Sequence, residues 1–164
     1  MLVLFSKADR CWKIADFGIS SAATSQNLNT TRFARGTSSY RAPELLREVG
    51  RFNNKSDVWA LGCVIYEVAT HKKAFLSDWG VIEYSISSIL KLPLPWPEWT
   101  EFRGDGERLS IEYDFETYFP QLRAQLLAMF SLDPSMRPTT DALSQSWREA
   151  LKIGREKRLQ EKLI

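Results

Sequence analysis

The sequence has little of what marks a secreted, membrane-spanning or nucleic-acid-binding protein. Its 164 residues include only two cysteines, Cys11 and Cys63, which are too few for a disulfide framework. The net charge of +2 gives no strong attraction for nucleic acids or membrane surfaces. The apolar run at residues 58–66 is too short to span a bilayer, and polar residues follow the apolar residues 1–5 at once, unlike a signal peptide. We therefore expect two reduced core cysteines, no nucleic-acid or membrane partner, and a cytoplasmic or nuclear protein.

The rest of the composition is that of a globular domain with a sizeable core. Hydrophobic residues make up 44% of the chain and charged residues 26%. Residues 55–70 contain good helix formers and are apolar on nearly all sides, which predicts a buried central helix of about four turns. Asn54 or Ser56 can cap its start. Asp57 then lies at the entrance to the core, where a buried carboxylate needs several hydrogen-bond donors.

The segments on either side predict a β-hairpin and further helices. Residues 1–5 look like a buried strand, and residues 11–15 look like its partner across a polar turn. Amphipathic helices are predicted within residues 75–90 and 118–131. The apolar residues on one side of the first are Trp79, Ile82, Ile86 and Ile89.

The C-terminal third contains a last helix and an acidic stretch. Thr139 or Thr140 can cap a helix over residues 139–151, which continues as a basic helical tail over residues 152–164. Residues 98–116 carry seven acidic side chains. We interpret this stretch as a solvated loop; docking of a basic partner is the alternative.

Two motifs enclose a long polar connection. Asp16-Phe17-Gly18 directly follows the second strand, and a carboxylate beside a glycine at a strand end suits a hard cation. An ordinary strand-ending turn is the more common explanation of so short a motif. Residues 19–41 are rich in Ser and Thr and too long for an idle loop. They lead into the sequence GTSSYRAPE at residues 36–44.

Four ordered motifs resemble those of the eukaryotic protein kinase family. Asp16-Phe17-Gly18 and the Ala-Pro-Glu that ends at Glu44 match the pair that brackets the family's activation segment. The predicted central helix resembles the family's central large-lobe helix through its Asp-x-Trp-x-x-Gly pattern. The sequence LDPSMRPT at residues 132–139 resembles a late large-lobe motif. Residues 36–40 are similar to serine/threonine kinases rather than to tyrosine kinases.

The resemblance implies a mainly α fold and a nucleotide cofactor. The fold would be the large, C-terminal lobe of a protein kinase over residues 1–151, with a short N-terminal β-hairpin and without the small lobe. ATP and Mg²⁺ would be the cofactors. By resemblance Asp16 would bind the magnesium that bridges the ATP phosphates, Phe17 would set the active or inactive geometry, and Gly18 would be the pivot.

The resemblance also assigns residues to the substrate side of the domain. Gly36, Thr37 and Tyr40 would belong to the loop that receives the protein substrate. Glu44 would pair with Arg137 and tie the end of the activation segment, residues 16–44, to the lower lobe. The alternative is an independent surface pair, which contributes little to stability.

The activation segment offers candidate phosphorylation sites. They are Thr24, Ser25, Thr30 and Thr31. Arg32 and Arg35 lie close in sequence, and a phosphate paired with arginine could order the segment. The alternative is that these hydroxyls only keep a loop soluble.

Several parts of the family's catalytic machinery have no counterpart in the sequence. A Gly-rich phosphate loop, a strand lysine in a Val-Ala-Ile-Lys context and a His-Arg-Asp catalytic loop are all missing. We therefore assign no catalytic residue. By resemblance Asp57 would accept hydrogen bonds from the catalytic loop, and Trp59 and Gly62 would be structural. Without that loop we expect the central helix to expose an apolar side.

The function implied by the resemblance is that of a serine/threonine protein kinase, a transferase that moves a phosphoryl group from ATP to Ser or Thr of protein substrates. We expect this chain to represent a large-lobe fragment that is inactive alone, because phosphoryl transfer needs several positioned groups together. The alternative is a non-catalytic, pseudokinase-like module that binds another kinase or a scaffold.

Overall fold

The computed structural model describes residues 2–15, 29–31, 36–70, 72–87, 101–102, 108–109 and 121–161. The helices in this part of the chain are α1 (Asn54–Thr70), α2 (Asp78–Ile86), α3 (Leu122–Met129) and α4 (Thr140–Glu161), with short 3₁₀ helices at Pro43–Leu46 and Pro134–Met136. The strands are β1 (Leu2–Ser6), β2 (Cys11–Ala15), β3 (Asn29–Thr31), β4 (Gly50–Phe52), β5 (Glu101–Phe102) and β6 (Arg108–Leu109). They pair antiparallel as β1–β2, β3–β4 and β5–β6. The predicted fold class, mainly α with an N-terminal hairpin, is confirmed.

Helix α1 is the centre of the hydrophobic core. Trp59, Cys63 and Tyr66 are buried along it, and the Trp59 ring stacks on Phe75 with centroids 5.4 Å apart. Phe130, from the end of α3, meets the Trp59 ring edge-on at 5.2 Å. Aromatic pairs at these distances add to the energy of simple burial. The core is therefore built around the helix that the sequence predicted.

The cap of α1 differs from the prediction. Neither Asn54 nor Ser56 caps it; the side-chain oxygen of Asn53 accepts a hydrogen bond from the backbone N–H of Lys55 at 2.9 Å. The Ser56 hydroxyl is turned elsewhere and donates to Glu44. A cap must precede the first helical turn, and the helix begins at Asn54.

The predicted β1–β2 hairpin is confirmed, and in its register Leu2 lies opposite Ala15 and Ser6 opposite Cys11. The prediction that its first strand is buried is wrong, because Leu4 and Phe5 are half exposed. Cys11 is exposed as well, so the prediction of two core cysteines holds only for Cys63. A sheet of only two strands cannot bury its own two faces, so its apolar side chains stay exposed unless another element packs against them.

Helix α2 buries a different face from the predicted one. Val81 and Tyr84 point into the core, whereas Trp79 and Ile86 are 64% and 77% exposed. The helix is apolar on two sides, and periodicity alone does not tell which side is covered. Ile89 lies outside the described residues.

The last two helices complete the core. Leu126 and Met129 of α3 are fully buried. Thr139 caps α4, since its hydroxyl accepts a hydrogen bond from the N–H of Ala142 at 3.2 Å. Helix α4 runs without a break from Thr140 to Glu161, so the predicted last helix and the described part of the predicted tail form one element. No helix in the described part of the chain is long and apolar enough to cross a membrane.

Most of the predicted acidic loop, residues 98–116, lies outside the described residues. The described part of it consists of the paired strands β5 and β6.

Candidate functional site

The candidate site is the segment at residues 36–44, which we call the substrate loop because the resemblance to protein kinases implies that it receives the protein substrate. Gly36 has φ +85°, in the left-handed region that favours glycine. Gly36, Thr37 and Ser38 are exposed, and the N–H of Tyr40 donates to the carbonyl of Thr37 at 3.2 Å to close a turn. Ser39 is also left-handed, with φ 77°. The loop thus presents an exposed tip above a tightly turned base.

Side chains of the loop fasten this base to the region around the start of α2. The Ser39 hydroxyl donates to the carbonyl of Leu76 at 2.9 Å. The guanidinium of Arg41 donates to Asp78 at 2.5 Å and, through Nε, to the carbonyl of Gly36 at 2.9 Å. Ser39 and Arg41 therefore hold the loop both to itself and to α2.

Tyr40 joins the loop to the central helix. Its hydroxyl donates to the carboxylate of Glu67 at 2.5 Å, and the ammonium of Lys73 lies 5.8 Å from the ring centroid. Burial, and then the neighbouring Glu67 carboxylate, raise the pKa of Tyr40 to about 12. The phenol therefore stays protonated at neutral pH and keeps its hydrogen bond.

The end of the loop is held by the predicted pair of Glu44 and Arg137. The two side chains form a bidentate ion pair, with N–O distances of 2.7 and 2.8 Å. Ser56 Oγ donates to the same carboxylate at 2.7 Å. Burial alone would raise the pKa of Glu44, but the hydrogen bonds and charge of Arg137, helped by Ser56, hold it below its usual value. The carboxylate is thus ionised and fully partnered in the folded protein.

Arg137 is at the centre of a buried polar network. Its Nε donates to the carbonyl of Ser131 at 2.8 Å, and Nη1 donates to the carbonyl of Lys55 at 3.0 Å. The ammonium of Lys55 donates in return to the carbonyl of Arg137 at 2.5 Å. The guanidinium also lies 5.1 Å from the Trp59 ring centroid, and its side chain is 0% exposed. An independent surface pair is therefore excluded.

The remaining predicted residues of α1 lie apart from this loop. Asp57 is exposed and has no hydrogen bond or ion pair with the described residues, although desolvation raises the pKa of its carboxyl. Trp59 is fully buried, and its indole N–H has no partner in the described structure. A Cβ at Gly62 would lie 3.1 Å from the ring of Phe130, so this glycine permits close packing of α1 on α3.

Most of the predicted cofactor and phosphorylation residues fall outside the described part of the chain. Asp16, Phe17 and Gly18 lie outside the described residues, and so do Thr24 and Ser25. Thr30 and Thr31 lie on β3, where Thr30 is exposed. Within the described ranges no group of three or more His, Cys, Asp or Glu side chains could hold a metal ion.

Sequence reasoning missed several residues that position the loop. They are Ser39, Arg41, Lys55, Ser56, Glu67 and Asp78. Ser39 and Arg41 reach partners 37 residues further along the chain, so no local pattern points to them. Among the side-chain contacts that hold the loop, the Glu44–Arg137 pair was predicted, because both residues lie in motifs that resemble those of protein kinases.

Comparison with known protein families defines the class of this protein. The model of the protein kinase domain family matches residues 2–148, nearly the whole chain. The chain therefore belongs to the protein kinase family.

Similar curated relatives are serine/threonine kinases. Over 83% of this chain, the sequence is 36% identical to the serine/threonine-protein kinase Nek8 of Danio rerio. It is 36% identical to the serine/threonine-protein kinase Nek3 of Oryza sativa subsp. japonica over 62% of this chain. It is 31% identical to the serine/threonine-protein kinase Nek1 of Mus musculus over 98% of this chain. The matched regions cover only 16%, 17% and 12% of these relatives.

Proposed function

We propose that this chain is the substrate-holding part of a serine/threonine protein kinase that transfers phosphoryl groups from ATP to Ser or Thr of protein substrates. The observation that carries the proposal is the anchoring of the substrate loop by the buried Glu44–Arg137 pair. Protein kinases gain most of their catalysis from positioning and electrostatics, so a loop that receives substrate has to be held firmly. The tethers at Ser39, Tyr40 and Arg41 support the same role.

The cofactors of the proposal follow from the family. Asp16, with Phe17 and Gly18 beside it, would hold the Mg²⁺ that accompanies ATP. The sequence contains no His-Arg-Asp loop to accept the proton of the substrate hydroxyl, so we expect the 164-residue chain alone to be inactive. A cytoplasmic or nuclear location and protein substrates belong to the same proposal.

The test is phosphoryl transfer by the intact cellular protein that contains this chain. It would be captured with an antibody to α4 and assayed with radiolabelled ATP on a degenerate Ser/Thr peptide library. We expect Asp16→Asn to lower transfer on the order of a hundredfold or more, because it removes a group that acts on the transition-state charge. The matched control is Asp141→Asn, an exposed aspartate in the first turn of α4. Equal activity of the two variants would overturn the proposal.

A second candidate is a binding module without catalysis. It is favoured by the half-exposed apolar side chains Leu4, Phe5 and Ile14 on the hairpin, which a partner protein could cover. The intact mass of the captured protein separates the two functions. A species near 18.9 kDa that lacks transfer activity would support the binding module, and a heavier active species would support the kinase.

A further inference from the structure

Two large apolar side chains are exposed beside the substrate loop. Leu76, which precedes α2, is 84% exposed, and Trp79, in the first turn of α2, is 64% exposed. They follow Phe75, which is buried and stacks on the Trp59 ring, so the backbone that carries them is anchored in the core. Exposed tryptophan and leucine within four consecutive residues are typical of a site that binds another protein. We call Leu76 and Trp79 the docking surface.

The docking surface is ordered before any partner binds, and it is continuous with the substrate loop. The backbone carbonyl of Leu76 accepts a hydrogen bond from the hydroxyl of Ser39 in the loop at 2.9 Å. The indole N–H of Trp79 donates to the carboxylate of Glu83, one turn further along α2, at 2.8 Å and so restrains the ring. Binding to groups that are already ordered costs less conformational entropy. A chain held by the loop can therefore reach a prepared apolar surface next to it.

The charges around this surface favour an acidic partner. Lys73 is exposed, its ammonium lies 5.8 Å from the centroid of the Tyr40 ring in the loop, and it has no ion pair with the described residues. The nearby carboxylates of Glu67, Asp78 and Glu83, by contrast, each accept a hydrogen bond from a neighbouring side chain. The ammonium is thus the charged group left to pair with a bound chain, and such complementarity gives specificity between partners.

We propose that Leu76 and Trp79 bind an apolar side chain of the protein substrate, at a fixed spacing from the hydroxyl residue to be phosphorylated, and that Lys73 favours an acidic residue next to it. The inference rests on the proposed function, since the occupant is a segment of the substrate. The bond from Ser39 to the Leu76 carbonyl links the loop rigidly to the docking surface. An extended chain advances roughly 3.3 Å per residue, so two rigidly linked contacts select one spacing.

The test measures binding and needs no phosphoryl transfer. The intact protein, fused to a fluorescent protein, would be incubated without ATP on an array of degenerate peptides that have a central Ser. In each peptide one flanking position is fixed as Leu, Phe, Asp or Ala. We expect Leu or Phe at one particular position to strengthen binding about tenfold relative to Ala. Asp at an adjacent position should strengthen binding about two- to threefold, and high salt should remove this smaller effect.

Substitutions identify the residues that bind. Trp79→Ala and Leu76→Ala should each remove most of the preference for Leu or Phe. Lys73→Ala should remove the preference for Asp. The matched controls Ile153→Ala and Lys152→Ala, at exposed residues of α4, should leave both preferences unchanged. All of these side chains are exposed, so we expect every variant to fold.

Three results would overturn the inference. One is a preference for apolar residues that is equal at all flanking positions, and another is a preference that survives both Trp79→Ala and Leu76→Ala. The third is an array without any preference; if Trp79→Ala then abolishes self-association in sedimentation, the occupant is a second copy of this chain. Asp16→Asn, which tests phosphoryl transfer, should leave the binding pattern unchanged. Failure of the proposed function and failure of this inference therefore give different results.

Discussion

Replacing Arg137 with alanine should be among the most destabilising single changes available in the core. The substitution removes both bonds to Glu44, at 2.7 and 2.8 Å, and the bonds to the carbonyls of Ser131 and Lys55. It also leaves a carboxylate in a site that is almost closed to water. Removing one member of a buried ion pair typically costs about 3–5 kcal/mol. Since whole domains are stable by only about 5–15 kcal/mol, the variant should be close to unfolding.

The measurement is equilibrium urea unfolding of the intact protein, followed by tryptophan fluorescence. Trp59 is a suitable probe because its ring lies 5.1 Å from the Arg137 guanidinium. The matched control is Arg148→Ala, an exposed arginine whose loss should change the free energy of unfolding by less than about 0.5 kcal/mol. A cost for Arg137→Ala within about 1 kcal/mol of this control would refute the claim that the network is buried and coupled.

A double substitution tests whether the loss of stability comes from leaving the Glu44 carboxylate charged without Arg137. Arg137→Met fills much of the same volume but leaves Glu44 charged and unpaired. Adding Glu44→Gln neutralises the group, so we expect the double variant to regain about 1–2 kcal/mol over Arg137→Met alone. Additive losses would show that the two side chains act independently.

The same pair sets a pH dependence. The pKa of Glu44 lies below its ordinary value of 4.5 in the folded protein, so the unfolded chain binds the proton more readily. The contribution of this carboxylate is fully present above the unfolded pKa and is lost as the pH falls through the lower folded pKa. The free energy of unfolding of the wild-type protein should therefore fall as the pH drops below about 5. Glu44→Gln should make the free energy of unfolding depend less on pH in this range. Parallel curves for the two proteins would contradict this assignment.

Two further predictions use matched pairs within the chain. Gly62→Ala should destabilise the protein by about 1–3 kcal/mol, because the new Cβ would lie 3.2 Å from Met129 Cβ. At Gly80 the new Cβ would meet only ordinary contacts, so Gly80→Ala should be neutral or stabilising. Thermal melts of the two variants measure the difference. A thiol reagent at pH 8 should modify the exposed Cys11 quickly and Cys63 only on unfolding, since burial raises the pKa of Cys63 to about 12. Rapid modification of both thiols, or equal melts of the two glycine variants, would count against the described packing.

The parts of the fold that the sequence predicted are those that depend on local patterns. The α1 helix follows from a run of helix formers, and the hairpin follows from two short strands around a polar turn. The Glu44–Arg137 pair spans 93 residues and has no local signal. It was predictable only because both residues lie in motifs shared with protein kinases.

The parts that the sequence did not predict depend on which surfaces meet in three dimensions. Helix α2 is apolar on two sides, and the Phe75 and Trp59 rings decide that Val81 and Tyr84 are the covered residues. Strands β3 and β4 are three residues each, too short for a period-two pattern to stand out. Their pairing brings together positions about twenty residues apart that no motif connects.

The substrate loop is held by a buried ion pair at its end and by a partly exposed ion pair at its base, and the two contribute very different free energies to stability. At its end, Glu44 lies in a buried network whose loss threatens the whole domain. In the test of the proposed function, a loss of activity on replacing Arg137 would therefore reflect unfolding as much as positioning. At its base, the ion pair of Arg41 with Asp78 is partly exposed, and such pairs typically contribute about 1 kcal/mol or less to stability. Yet the same Arg41 side chain also donates a hydrogen bond to the carbonyl of Gly36, and it thereby fixes the geometry of the exposed tip. Under the proposed function, the weak contact between Arg41 and Asp78, rather than the buried pair, is therefore where a substitution can change substrate binding while the fold persists.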